Sequence, residues 1–262
     1  NPKGGPRDGM IRTKADLDWV AAMMAAGYTF NNNLKNIGSN GSNLWYGDLI
    51  MDDVNGDGKY GNDDDREFTG KSSTPKVTLG LNITAAWRGF DLNMTWSGRF
   101  GGYHYLNSKG ANGSMITNVG DALPGDAWDK FYFYDSEASH AGIIKDENGT
   151  IIGSSYDPAT DPNANISNEY PRLLTSGGTT PSNTFYLYNT SFFKLKSLQI
   201  GYTLPKKWIA PAKISNLRVF VSGENLLTIK SSRFPGVDPE LGSSLAVYPI
   251  ARMFSGGLSV TF

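Results

Sequence analysis

A strict two-residue alternation constrains this chain more than any other feature. Val77, Leu79, Leu81, Ile83, Ala85 and Trp87 alternate with Thr78, Gly80, Asn82, Thr84 and Ala86. After Arg88-Gly89, the residues Phe90, Leu92, Met94 and Trp96 alternate with Asp91, Asn93, Thr95 and Ser97. Successive side chains of a strand point to opposite faces, so this reads as an antiparallel hairpin with one apolar and one polar face. Three further runs repeat the pattern: Leu198, Ile200, Tyr202 and Leu204; then Leu217, Val219 and Val221; then Phe254, Gly256, Leu258, Val260 and Phe262. Strands are expected over 77–87, 90–99, 192–204, 215–227 and 250–262. The composition agrees with an all-β chain: 31 glycines in 262 residues, 12% aromatic and 19% charged, against a usual ~7% Gly and ~25% charged.

Connection lengths suggest where such strands sit. A two-residue turn joins the first pair, whereas 1–76, 100–189 and 228–250 are long and rich in Gly, Asn, Asp and Ser. Short turns at one end and long loops at the other describe an outer-membrane β-barrel. Trp87, Phe90, Trp96 and Tyr202 near strand ends, with Phe262 at the last position, suit its aromatic girdles. No run of 18 apolar residues marks a transmembrane helix, which says nothing about membrane strands. A soluble sandwich alternates equally well. The alternative reading is therefore a calcium-stabilised β-sandwich adhesion or glycan-binding module, whose apolar face meets a second sheet instead of lipid. Five strands cannot close a barrel, the smallest having about eight, so the fold class expected is the C-terminal strands of a large transmembrane β-barrel with long extracellular loops and one short helix. Counting back from a C-terminus on the short-turn side places 1–76, 100–189 and 228–250 outside the cell. The polar start, Asn1-Pro-Lys-Gly-Gly-Pro6, lacks the apolar region of a signal peptide and reads as the middle of something longer.

Two regions follow, 1–76 and 77–262. The first is irregular apart from a helix over 14–26. Thr13 and Asp16 form a capping-box pair, Gly27 suits the C′ position, and Leu17, Val20, Ala21 and Met24 share a face. It also holds Asp53-Val-Asn55-Gly-Asp57-Gly58-Lys59, with Asp63 and Asp64 further on. That fits the start of a calcium-loop pattern: Asp53, Asn55 and Asp57 offer side-chain oxygens, Lys59 its carbonyl, and Asp64 stands at position 12 in place of Glu. Structural Ca²⁺ is expected there, against the plainer reading of a solvated Asp/Gly turn.

Signs of catalysis are missing. There is no cysteine, and His104 and His140 lie in the long loop away from any nucleophile pattern. Asp121, Asp126, Asp129 and Asp135 read as solvated loop charge, and Gly98–Gly102 follows a strand without the helix or Lys of a phosphate loop. No enzyme is expected. With 24 Lys+Arg against 25 Asp+Glu, no nucleic-acid partner is expected either. The loop aromatics Trp128, Phe131, Tyr132, Phe133, Tyr134 and Tyr156 stand among Asp and Asn. Aromatic faces beside hydrogen-bonding groups suit sugar rings or peptide side chains, which makes Trp128, Tyr132 and Tyr134 the candidate substrate-binding residues.

Five motifs in order carry a family resemblance. They are Gly47-Asp48 through Asp53–Gly58 with Thr69-Gly70-Lys71; Ser191–Pro205 (SFFKLKSLQIGYTLP); Gly223–Thr228 (GENLLT); Gly236-Val-Asp-Pro-Glu240; and Gly256–Phe262 (GGLSVTF). From about residue 47 to 262 the chain resembles SusC/RagA-type TonB-dependent transporters of Bacteroidetes. The resemblance implies a 22-stranded outer-membrane barrel around a plug, importing glycans, or in some members peptides, under a SusD-like surface lipoprotein lid. It implies contact with membrane lipid, with the remaining strands and plug, and with TonB through the plug.

Overall fold

A computed structural model describes residues 5–6, 8–31, 33–40, 42–105, 130–166, 170–172, 183–234, 238–241 and 250–262. The chain divides into two compact units, Asn1–Thr69 with Asn107–Tyr186, and Gly70–Leu106 with Leu187–Phe262. The sequence places its division between 76 and 77. In the structure the long loop instead joins the N-terminal segment, because side chains more than 90 positions apart close one core.

The second unit is a five-stranded antiparallel meander: β1 (Val77–Trp87), β2 (Phe90–Phe100), β3 (Phe192–Thr203), β4 (Asn216–Lys230) and β5 (Met253–Thr261), each paired with its sequence neighbours. Arg88 (φ 48°) and Gly89 (φ 89°) close the first hairpin. Both angles are positive, as a two-residue turn needs to match strand twist. A Cβ on Gly89 would lie 2.8 Å from the Thr203 carbonyl oxygen, so the turn also depends on glycine for space.

Register assembles the alternation into faces. Ile83 lies opposite Met94, Met94 opposite Leu198, and Leu198 opposite Gly223; Ala85, Leu92, Ile200, Val221 and Gly256 form the next row. Towards the turn, Trp87, Phe90, Tyr202, Val219 and Leu258 follow, with the Phe90 and Tyr202 rings 4.5 Å apart. One face is apolar across all five strands, and it is exposed: Leu81 45%, Val221 58%, Leu258 68%. A buried sheet face would hide these groups, so the sandwich alternative, which needs a covering sheet, gains no support among the described residues.

The opposite face carries Asn82, Asn93, Thr95, Ser97, Gln199 and Ser222. On it Arg218 donates Nε to Asp91 at 2.9 Å and Nη2 to Asp91 at 2.5 Å. Gly201 lies beneath this pair, where a Cβ would fall 2.4 Å from Arg218 Nη2.

The apolar residues of β3 change phase, from Phe193 and Leu195 to Leu198, Ile200 and Tyr202. A β-bulge between Leu195 and Ser197 accommodates the change, with Lys196 as the extra residue. Such an insertion keeps both stretches facing the same way, which an unbroken strand would not. Between the same two rungs β2 advances from Trp96 to Thr95, β3 from Leu195 to Ser197, and β4 from Leu227 to Glu224. Asn225 on β4 takes φ 54° there.

In the first unit, helix α1 spans Lys14–Ala25 with the expected reciprocal cap: the Asp16 carboxylate accepts from the Thr13 N–H at 2.8 Å, and the Thr13 hydroxyl accepts from the Asp16 N–H at 3.3 Å. Leu17 and Val20 are fully buried. Trp19 packs edge-on to Phe30 and Tyr60, whose rings stack at 4.9 Å. Met10, Ile11, Leu44, Trp45, Tyr46, Phe131 and Tyr132 complete this core.

Candidate functional site

The Asp-rich loop is held by its own carboxylates. Asp53 accepts from the N–H of Gly56 (2.7 Å), Asp57 (3.1 Å) and Gly58 (2.9 Å). Asn55 accepts from the Asp57 N–H at 2.9 Å, and Asp57 from the Lys59 N–H at 2.8 Å. The Lys59 N–H bond first, then the Asn62 side chain and the Lys59 charge, hold the Asp57 carboxyl below its usual range. The closing residue differs from the one expected. Asp65, not Asp64, ties the two ends, accepting from Val54 (2.8 Å), Gly61 (2.8 Å) and Asn62 (3.1 Å). Asp64 is exposed, and its N–H donates to Asn62 Oδ1 at 2.9 Å. The reason is a tight 3₁₀ turn over Asp63–Asp65 capped by Asn62, whose capping partner is its third residue.

Among the described residues no three His, Cys, Asp or Glu side chains converge as a metal group. Asp53 accepts three backbone N–H bonds, where a carboxylate offers about four acceptor sites, and Asp64, at position 12 of the pattern, is exposed. Asp65→Ala should raise amide exchange at Gly61 and Asn62 by about tenfold, the loss of roughly 1.4 kcal/mol of charge-assisted bonding. Asp64→Ala should leave it unchanged; hydrogen–deuterium exchange read by mass spectrometry separates the two.

Of the candidate substrate residues, Trp128 lies outside the described residues. Tyr132 is 1% exposed and donates its hydroxyl to the Arg12 carbonyl at 2.9 Å. Its ring fills the space beside Gly47, where a Cβ would come within 2.6 Å of it. Burial pushes its hydroxyl far above the ordinary tyrosine range. Within this unit Tyr132 is a packing residue. Tyr134 is half-buried, 6.0 Å from the Tyr46 ring and 6.4 Å from that of Tyr156. The Tyr156 hydroxyl donates to Asp161 at 2.6 Å and accepts from the Asp135 N–H.

Two residues to which the sequence reading gave no site role, Arg172 and Asp48, organise this cluster. Arg172, 5% exposed, donates Nε to Asp48 Oδ1 at 2.7 Å and Nη2 to Asp48 Oδ2 at 2.6 Å. Its remaining donors reach the carbonyls of Ser39 (2.8 Å) and Asn43 (3.3 Å). Asp48 Oδ2 also accepts from the Trp45 N–H at 2.8 Å, and the Trp45 indole donates to Ser139 at 2.8 Å. Burial opposes the charge on Arg172, and Asp48 outweighs it, so the guanidinium titrates above its ordinary value.

On the second unit, a second charged cluster lies at the end of β3 away from the Arg88-Gly89 turn. Lys194, fully buried, pairs with Asp238 and donates to Glu240 at 2.9 Å; Lys196 donates to Glu240 at 2.5 and 2.6 Å. Burial works against the Glu240 charge, and the bonds from Lys196 and Lys194 overcome it, holding the carboxyl below its usual range.

A meander with a continuous exposed apolar face, a polar opposite face and girdle aromatics at its turn is part of the wall of a large transmembrane β-barrel. The comparisons make this specific. A TonB-dependent receptor P3 of Formosa agariphila is 25% identical over 230 residues, covering 82% of this chain and 19% of that protein. The RagAB peptide importer matches in its closed-closed state (23% identity, TM-score 0.50, 80% of this chain and 20% of that one) and in its open-open state (22%, 0.50, 81% and 20%). No protein-family model matches. The resemblance to SusC/RagA-type TonB-dependent transporters read from the five motifs is borne out, and the relatives are a receptor and an importer, not enzymes. The chain spans about one fifth of the length of these relatives.

Proposed function

We propose that this chain is part of an outer-membrane importer of oligosaccharides, energised by TonB through a plug and sealed by a SusD-like lipoprotein lid. The observation that supports it is the apolar face running without interruption across five strands, the surface a barrel wall presents to lipid. The opposite face, with Asn82, Asn93, Gln199 and the Asp91–Arg218 pair, then lines the lumen. Oligopeptides are the second cargo, favoured by the peptide importer among the structural relatives. Trp128 is the substrate-contacting residue in this reading, carried by the loop 100–189, which also meets the lid. Calcium at 53–64 remains a proposal of the sequence pattern alone.

The test is uptake of labelled oligosaccharides and oligopeptides by cells carrying the full-length transporter, with and without TonB. Uptake should require TonB and favour one cargo class. Trp128→Ala should lower it several-fold with the amount of folded barrel in the outer membrane unchanged. Uptake that ignores both TonB and Trp128 would sink the reading.

A further inference from the structure

A cavity of about 220 Å³ opens in the second unit, beside the buried lysine cluster. Arg99, His104, Thr190 and Glu240 supply its polar lining, and Phe192 and Leu241 its apolar walls. Arg99, the last residue but one of β2, lies directly across from Phe192 at the start of β3, on the polar face of the sheet. His104 comes from the short strand Tyr103–Tyr105, which pairs with Leu187–Asn189. Gly102 is needed between them: a Cβ there would press on the Thr190 hydroxyl at 3.2 Å, while its carbonyl accepts from the Thr190 N–H.

The charges of the site do not cancel. Among the described residues Glu240 is the only acid in the lining, and Lys194 and Lys196 hold both of its oxygens. Asp238 offsets the second lysine. Those four groups are neutral together. Arg99 is exposed and has no ion-pair partner among the described residues, so its guanidinium is left as the uncompensated charge of the cavity. A guanidinium presents parallel N–H donors that match a carboxylate in a two-point geometry. The volume is below the ~300–1,000 Å³ usual for a whole ligand, so it suits one end of a longer molecule.

We infer that this cavity is a subsite for a carboxylate group, held by Arg99 with its carbon skeleton against Phe192 and Leu241. The inference rests on the importer reading and narrows its cargo to chains carrying a carboxylate, either a peptide C-terminus or an acidic sugar. Because His104 and Thr190 stand beside Arg99, they give the bound group further hydrogen-bonding partners.

The experiment uses full-length transporter purified from outer membranes, with binding followed by calorimetry. The probes are an acetylated dialanine and its C-terminal amide, and a trigalacturonate and its methyl ester. The acid of at least one pair should bind about tenfold tighter than its neutral analogue, the scale of one charge-assisted contact. Discrimination in the peptide pair identifies peptides as the source, and in the sugar pair uronates. Arg99→Gln should abolish the difference and Arg99→Lys retain part of it. Leu241→Trp, which fills the cavity and leaves every charge in place, should weaken the acid by a similar factor. Equal binding of acid and neutral forms in both pairs, or discrimination that survives Arg99→Gln and Leu241→Trp, would overturn the subsite. Binding on purified protein needs no TonB, so failure of energised uptake and failure of this inference give different results.

Discussion

Replacing Asp48 with alanine should unfold the first unit and leave the meander standing. Arg172 would keep its burial and lose the carboxylate that compensates it. Breaking a buried pair from one side costs about 3–5 kcal/mol, far more than losing an exposed one. The damage should spread, because the same guanidinium holds the carbonyls of Ser39 and Asn43 and the same carboxylate holds the Trp45 N–H. Limited proteolysis of the intact membrane protein reads this: new cleavage within 8–69 and 130–172, with unchanged heat-modifiable migration of the barrel. Asp48→Leu combined with Arg172→Met removes both charges and should restore much of the resistance. If Asp48→Ala is as resistant as the wild type, the pair does not hold the unit together.

A second large effect belongs to the barrel wall. Leu81→Arg puts a charge on the apolar face, opposite Trp96 and two rungs from Ile83 and Met94. Arginine on the lipid side near the midplane of a membrane barrel costs about 2–4 kcal/mol. The neighbouring Asn82→Arg places the same charge on the polar face beside Thr95, where water or lumen groups solvate it. The first should lower the yield of folded protein and its denaturation midpoint in lipid, and the second should change neither appreciably. Equal effects would mean that the two faces do not see different solvents.

The strands were legible because period-two patterning is local: Val77–Trp87 holds to the residue, and Phe90–Phe100 and Phe192–Thr203 to within one. β4 runs on to Lys230, since Leu227 and Ile229 continue the apolar face beyond the irregular Asn225. The capped helix was equally readable from Thr13, Asp16 and Gly27. Contacts between distant segments were not. Asp48 and Arg172 are 124 positions apart, and nothing in either neighbourhood announces the other. Tyr132 among polar residues looks like a binding aromatic, yet its ring is needed against Gly47 to fill the core. Asp64 sits where a calcium pattern requires it, and the 3₁₀ turn gives its place to Asp65. The spacing Asn62-x-x-Asp65 was the available signal for that. The phase change between Leu195 and Leu198 likewise announced the bulge.

That bulge bears on how such a chain tolerates change. Substituting Lys196 alters one side chain. Deleting it would leave Leu195, Ser197 and Leu198 in simple alternation, so every residue on to Thr203 would keep its face and the bulge would close. Deleting Gln199 instead would turn every residue from Ile200 to Thr203 to the opposite face, so the bulge is where this strand absorbs the loss of a residue. Across β2, β3 and β4 the backbone path between the same two rungs lengthens by one residue per strand, roughly 3.3 Å each time. A bulge takes up its extra residue by bending its strand and increasing the local twist, so the sheet bends at that level. That bend is written into one lysine on β3 and the Asn225-Leu226 pair on β4.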